Sequence, residues 1–300
     1  MSWVNIAILS ATTLGVVNII DSHLLSKRMP GLRAFLLPVA VFHLIYALIV
    51  FTLFPLPVGI GTWPLLVAIA SGVLRGVAIT PMLYVMKSEE VSRVTPVVYT
   101  YPIFVAIMAA PLLGETLYYL QWLAIIIVVA GAVMLSVRQG PTGSTTWMGK
   151  PLLLLFSSSL LMAMADIASK YALVYISFWN MFWLSAFCMS GIFLLVSIHP
   201  HTLKQLINMK QRNSAFALLA VNETLAPTAI ALQFWALERG PVSLVSTIAG
   251  SRPIFVVMFA LILSRISPKF LQWQLGRGAL ALRLVATAMI IGGVAIIYLT

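Results

Sequence analysis

VTPVVYTYPIFVAIMAAPLL, residues 94–113, and VSTIAGSRPIFVVMFALILS, residues 245–264, are apolar segments of twenty residues set 151 positions apart. Each is long enough to cross a hydrocarbon core of about 30 Å as a helix. Both contain Pro-Ile-Phe-Val, at Pro102–Val105 and Pro253–Val256. The match extends outward: Leu74–Trp122 aligns with Leu225–Trp273 without a gap, giving 15 identities in 49 positions. Leu120-Gln121-Trp122 meets Leu271-Gln272-Trp273, and after about eleven extra residues in the second copy Gly293 meets Gly131. The chain is an internal duplication.

The rest of the composition fits a chain made of such segments. Of 300 residues 61% are hydrophobic and 8% charged, whereas soluble domains carry about 25% charged residues. An ordinary globular enzyme, a disordered chain and a secreted disulfide scaffold are excluded. Apolar runs predict ten helices, near 3–25, 33–54, 62–86, 94–113, 117–137, 150–170, 177–198, 214–237, 241–264 and 280–299. Five helices per copy is an odd number, so the second copy is expected upside down relative to the first. The predicted fold class is therefore all-α integral membrane, with ten transmembrane helices in two inverted five-helix repeats, 1–137 and 150–300, joined by a linker, 138–149. Pro96, Pro102, Pro227 and Pro253 are expected to break their helices. The single cysteine, Cys188, lies in an apolar run and forms no intrachain disulfide. The first helix has no basic residue before it and is too long for a secretory signal core, so it is expected to remain.

The net charge of +11 is a matter of topology. Loops after odd-numbered helices hold fourteen basic residues and the opposite loops only Lys170 and Arg239. The bias places the odd loops and the linker in the cytoplasm and both termini outside, with no nucleic-acid partner required. Pro268–Arg283, with Phe270 and Trp273 among its basic residues, is expected to form a short interfacial helix.

The run from Glu90 to Leu135 contains Val91-Ser92, Pro96, Pro102, Gly114-Glu115, Gln121-Trp122 and Ala130-Gly131. It resembles the repeat signature of EamA-type members of the drug/metabolite transporter superfamily. The resemblance covers nearly the whole chain and implies ten helices in two halves and a secondary carrier without a cofactor. It implies substrates among amino acids, amines, sugars, nucleotide sugars and phosphorylated metabolites, and an acidic turn at Glu115. The chain departs from the pattern at Arg265-Ile266, where the first copy has Gly114-Glu115, and in its termini, which members of the family commonly keep inside.

Ionisable groups at membrane depth cost several kcal/mol unless paired or hydrated, and so mark function. Arg75, Arg252, Glu223 and His43 are expected about 15 to 18 Å from the cytoplasmic helix ends, in one central layer. Arg75 and Glu223 lie on repeat-equivalent helices, and a mutual ion pair is predicted for them. That leaves Arg252, flanked by Tyr99 and Tyr101, with one positive charge for a carboxylate or phosphate ligand. Asp21 and Asp166 are expected near opposite ends of repeat-equivalent helices, as gating residues, with Lys170 paired to Asp166 at i,i+4. Trp179, Trp183 and Trp235 are expected at interfaces or packing seams.

A multi-pass cell-membrane transporter of a small anionic or amphipathic metabolite, working by alternating access, is the function these features predict. The runner-up is proton-coupled export of amines or amino acids, built on Glu223. A channel needs a continuous water path. An intramembrane enzyme needs a cluster of acids or a metal motif at depth, and neither H-E-x-x-H nor a second midplane carboxylate is read from the sequence. A small-molecule substrate, the bilayer and a proton are the expected partners; monomer and homodimer stay open. The charge bias is directly checkable: alkaline phosphatase fused after Thr300 is expected to be active and a cytoplasm-dependent fluorescent protein dark. The opposite pair of results refutes external termini.

Overall fold

The structure, a computed structural model, describes residues 2–89, 91–136, 149–209, 212–266 and 277–300. All the regular elements among them are helices. The first half holds α1 (Trp3–His23), continued by a π-helical turn over Leu24–Arg28, then α2 (Leu32–Leu53), α3 (Thr62–Met86), α4 (Val91–Val98), α5 (Pro102–Leu113) and α6 (Tyr119–Ser136). The second holds α7 (Gly149–Ala172), α8 (Phe178–Ser197), α9 (Pro200–Ile207), α10 (Arg212–Arg239), α11 (Val242–Ala249), α12 (Arg252–Ile266) and α13 (Arg277–Leu299). Eight stretches are long and apolar enough to cross a membrane, with α4–α5 and α11–α12 each counting once, and α6 and α13 contribute shorter apolar stretches. Leu53, Trp63, Leu153 and Val174, all more than half exposed, lie on the outside of the bundle. Such a surface suits lipid.

Two expectations need correction. Pro96 and Pro227 lie inside α4 and α10 without ending them, and α10 runs through Pro227 for 28 residues. The actual breaks fall at Tyr99–Tyr101 and Gly250–Ser251, one and two residues ahead of Pro102 and Pro253, because proline suits the first turn of a new helix and disfavours helical backbone before it. The interfacial helix expected at Pro268–Arg283 falls largely outside the described residues; its end, from Arg277, begins α13. A short helix, α9, follows α8 between the predicted helices 177–198 and 214–237.

The halves interlock by exchange of equivalent partners. α3 packs on α7 as its repeat mate α10 packs on α1, while α2 packs on α8 and α6 on α13. Side-chain hydroxyls tie these seams: Ser71 donates to the Ala165 carbonyl at 2.9 Å and Ser10 to the Ala229 carbonyl at 2.7 Å. The α6–α13 crossing repeats the pattern at atomic level. A Cβ on Gly131 would stand 2.8 Å from the Ala286 carbonyl oxygen, and one on Gly293 would stand 3.0 Å from that of the repeat-equivalent Ala124. Small residues let membrane helices approach this closely. Gly131→Val and Gly293→Val are each expected to cost about 1–3 kcal/mol from overpacking. The check is a lower melting temperature for both variants in the same detergent, and a change in only one would contradict the equivalence.

Candidate functional site

At the centre the two helix breaks cross. A Cβ on Gly250 would meet Pro102 Cγ at 2.8 Å and the carbonyl oxygen of Tyr99, its repeat equivalent, at 3.2 Å. Only a residue without a side chain permits this approach. Tyr99 is thereby held against Arg252, the first residue of α12, and the N-terminus of that helix adds its own partial positive charge at the same point.

Beside this crossing lies a cavity of about 90 Å³ walled mainly by α1, α2, α3, α8 and α10, with Met162 of α7, Tyr99 of the first break and Arg252 of α12 completing it. Most of its wall residues come from the C-terminal halves of α1, α3 and α8, the N-terminal part of α2 and the middle of α10. It therefore extends toward the end of the bundle that carries the basic loops. At the other end the helices are tied together. The Glu115 carboxylate accepts from Val242 N at 2.6 Å and from Ser243 N and Oγ at 3.2 and 2.7 Å, capping α11. Lys170 donates to the carbonyls of Leu237 and Gly240 at 2.7 and 2.8 Å, capping α10. Glu238 accepts from Phe178 N at the start of α8.

The charges in the central layer pair differently from the sequence-based expectation. Arg75 does not pair with Glu223; its Nη2 donates to Asp166 Oδ1 at 2.7 Å, and Ser246 donates to Asp166 Oδ2 at 2.8 Å. The cause is packing, since α3 lies directly on α7, and α7 continues to Ala172, which sinks Asp166 about 9 Å below its end. Asp166 is fully buried, and Lys170 serves α10 instead of pairing with it. Asp21 is also deeper than expected, because the π-helical turn carries the first helix on to Arg28. It accepts from Asn222 Nδ2 at 2.8 Å, and the same amide nitrogen lies 3.4 Å from Glu223 Oε1. His43 Nδ1 donates to the Val39 carbonyl at 3.0 Å, a group that can only accept. The same nitrogen stands 3.5 Å from Glu223 Oε2.

Arg252 faces this acidic group across the cavity. Its Nη1 donates to the Tyr99 hydroxyl at 3.0 Å and its Nη2 to Gln233 Oε1 at 2.6 Å, with the Tyr99 ring 4.8 Å from the guanidinium carbon. Asn18 donates to the same hydroxyl. Tyr101 is buried and takes no part in the wall. The layer thus contains two guanidinium groups and three carboxylates, Asp21, Asp166 and Glu223. With all five ionised and His43 neutral it carries one excess negative charge, not the excess positive charge expected, and it holds more than one carboxylate at depth.

Asn18, Asn222 and Gln233 were missed as site residues. The signal was present: Asn18 precedes Asp21 by three positions, and Asn222 and Gln233 are eleven apart, three turns on one face of a helix. Trp183 lies on a seam, donating to the Phe54 carbonyl at 3.1 Å, and Trp179 stacks on the Phe54 ring.

The family model described as "EamA-like transporter family" matches residues 1–137 and 149–299. The chain belongs to the EamA-like transporter family. This family is one of membrane transporters in the drug/metabolite transporter superfamily, and the two matched segments are its repeats. No curated protein matches. One solved structure, described only as "Crystal structure of protein", is similar over 99% of this chain and 95% of its own, with 19% identity and a TM-score of 0.66, and supports the fold.

Removing one partner of a buried ion pair costs about 3–5 kcal/mol. Arg75→Ala is therefore expected to lower the melting temperature sharply, and adding Asp166→Asn is expected to restore part of the loss. Adding Glu223→Gln to Arg75→Ala is expected to restore nothing, and rescue by that second change would return the ion pair to Glu223.

Proposed function

We propose that the chain is a ten-crossing secondary transporter of two inverted repeats, 1–137 and 150–300, that moves a small molecule bearing both a carboxylate and an ammonium group. The observation that carries this reading is one of unmet bonding. Among the described residues the buried side-chain nitrogen and oxygen atoms without a hydrogen-bond partner are Arg75 Nε, Arg252 Nε, Asn222 Oδ1 and Glu223 Oε2. All four residues wall the same cavity. Leaving such groups unpaired costs about 1–3 kcal/mol each, more when charged, and a bound ligand recovers it. Arg252, with Tyr99, is assigned the carboxylate, and Glu223, with Asp21, Asn222 and His43, the ammonium. An anionic ligand alone satisfies the guanidinium but raises the excess negative charge of the fully ionised layer from one to two, whereas a zwitterion leaves it at one and gives Glu223 a cationic partner.

The alternating-access reading rests on the exchange of helix partners between the halves and on the asymmetry of the two ends. With the basic loops in the cytoplasm and both termini outside, the tied end is the outer one and the cavity faces inward. Asp166 and Lys170 then act in outer closure, Asp166 through Ser246 on α11 and Lys170 through the end of α10. Asp21 stands on the inner side of the cavity. A second reading concerns coupling. One amide nitrogen lies close to both Asp21 and Glu223, so in the absence of substrate a single proton shared by these acids neutralises the layer, as exchange of an amine or amino acid for a proton requires.

Thermal stabilisation of the purified protein by a panel of amino acids, amines, organic acids, phosphates and sugar nucleotides tests the assignment. Zwitterions are expected to stabilise more than their N-acetyl or methyl-ester derivatives. Arg252→Ala is expected to weaken zwitterion binding about ten- to hundredfold, and Glu223→Gln is expected to remove the advantage of the free ammonium. Equal stabilisation by acids without an ammonium group, unchanged in Glu223→Gln, points to an anion carrier instead.

A further inference from the structure

The polar cavity adjoins a second, larger space that its charges do not explain. A small void of about 10 Å³ shares His43, Met189 and Ile230 with the cavity on one side. On its other side it shares Tyr46, Phe182 and Pro227 with a groove of about 770 Å³. The groove runs between α2, α8 and α10 from Thr224 to Trp235, a rise of about 17 Å, which is roughly the hydrocarbon depth of one leaflet. It lies toward the tied end of the bundle. Its threonines have their hydroxyl protons engaged within the helix: Thr224 donates to the Val221 carbonyl at 2.7 Å and Thr228 to the Thr224 carbonyl at 2.8 Å.

We infer that this groove receives the apolar tail of the transported molecule, whose charged head sits in the central cavity, and that Tyr46 and Phe182 form a side gate between them. The inference rests on the head-group assignment above and adds to it the substrate's shape. Three observations converge. The three spaces adjoin in series through shared wall residues. The narrow member has room for about one water, so it is a closed throat and not a standing channel. Pro227 stands in both the throat and the groove, and as a proline it leaves the Glu223 carbonyl without its helical donor, next to the acid that would hold the ammonium. An amphiphile whose head is bound at Glu223 is thus aimed at the throat.

The test is a ladder of straight-chain α-amino acids from alanine to 2-aminooctanoic acid, with matching alkylamines and alkanoates, bound to purified protein in one detergent. Affinity is expected to rise with tail length by up to about fourfold per methylene once the tail reaches the groove. Ala231→Trp, which fills the groove, is expected to flatten the ladder while leaving alanine binding unchanged; Thr228→Phe replaces it if that variant does not fold. Phe182→Ala is expected to speed transport of the long members relative to alanine. A flat ladder in the wild type, or the same slope in the filled variant, overturns the tail site. A retained phospholipid, seen by native mass spectrometry and lost in Ala231→Trp without any change in the ladder, overturns it in favour of a structural lipid. Failure of the head-group assignment reads out separately: amines and alkanoates then keep the slope, but the zwitterions lose their advantage.

Discussion

The ion pair of Arg75 with Asp166 fixes the character of everything around it. An arginine in the middle of a bilayer needs a partner, and α3 finds one on α7, in the other half of the chain. The pair joins the halves at the centre, and Ser246 on the carboxylate and Phe234 against the guanidinium enclose it. It also decides which charges remain available. With the Arg75 Nη2 group and Asp166 satisfying each other, Arg75 Nε, Arg252 Nε, Asn222 Oδ1 and Glu223 Oε2 remain as the buried polar atoms of the cavity wall without a hydrogen-bond partner among the described residues.

The second constraint is backbone. Two helices stop at the middle of the bundle and restart a few residues later, and the stops touch because Gly250 has no side chain. A continuous helix at 242–266 would bury the first turn of α12 in its own hydrogen bonds. The break places a helix N-terminus in the middle of the bundle with Arg252 at its first position, so dipole and guanidinium act together.

The two ends of the molecule are built from equivalent parts but are not chemically equal. Glu115 binds the start of α11 with both carboxylate oxygens, whereas the repeat-equivalent position holds Ile266, which has no acceptor to offer. Lys170 adds a charged cap at the same end as Glu115.

How much of this was legible in the sequence follows from the range of each interaction. The helices were readable because hydrophobic length and turn chemistry are local, and so was the duplication, because Pro-Ile-Phe-Val and Leu-Gln-Trp recur at one spacing. The family was readable for the same reason. The depth of Asp21 was misjudged by the π-helical turn beyond His23, a local feature with no distinct signal in Leu24–Arg28. The partner of Arg75 was beyond reach: Glu223 and Asp166 both lie in the other half, and depth alone does not say which helix face meets α3. That choice is made by side chains packing across some ninety residues of sequence, Ser71 on Ala165 and Ser169 among them. The sequence by itself determined a duplicated membrane bundle with charges near its middle. Only the tertiary structure decided which charges pair, because Coulomb pairing over about 3 Å depends on helix rotation and not on order along the chain.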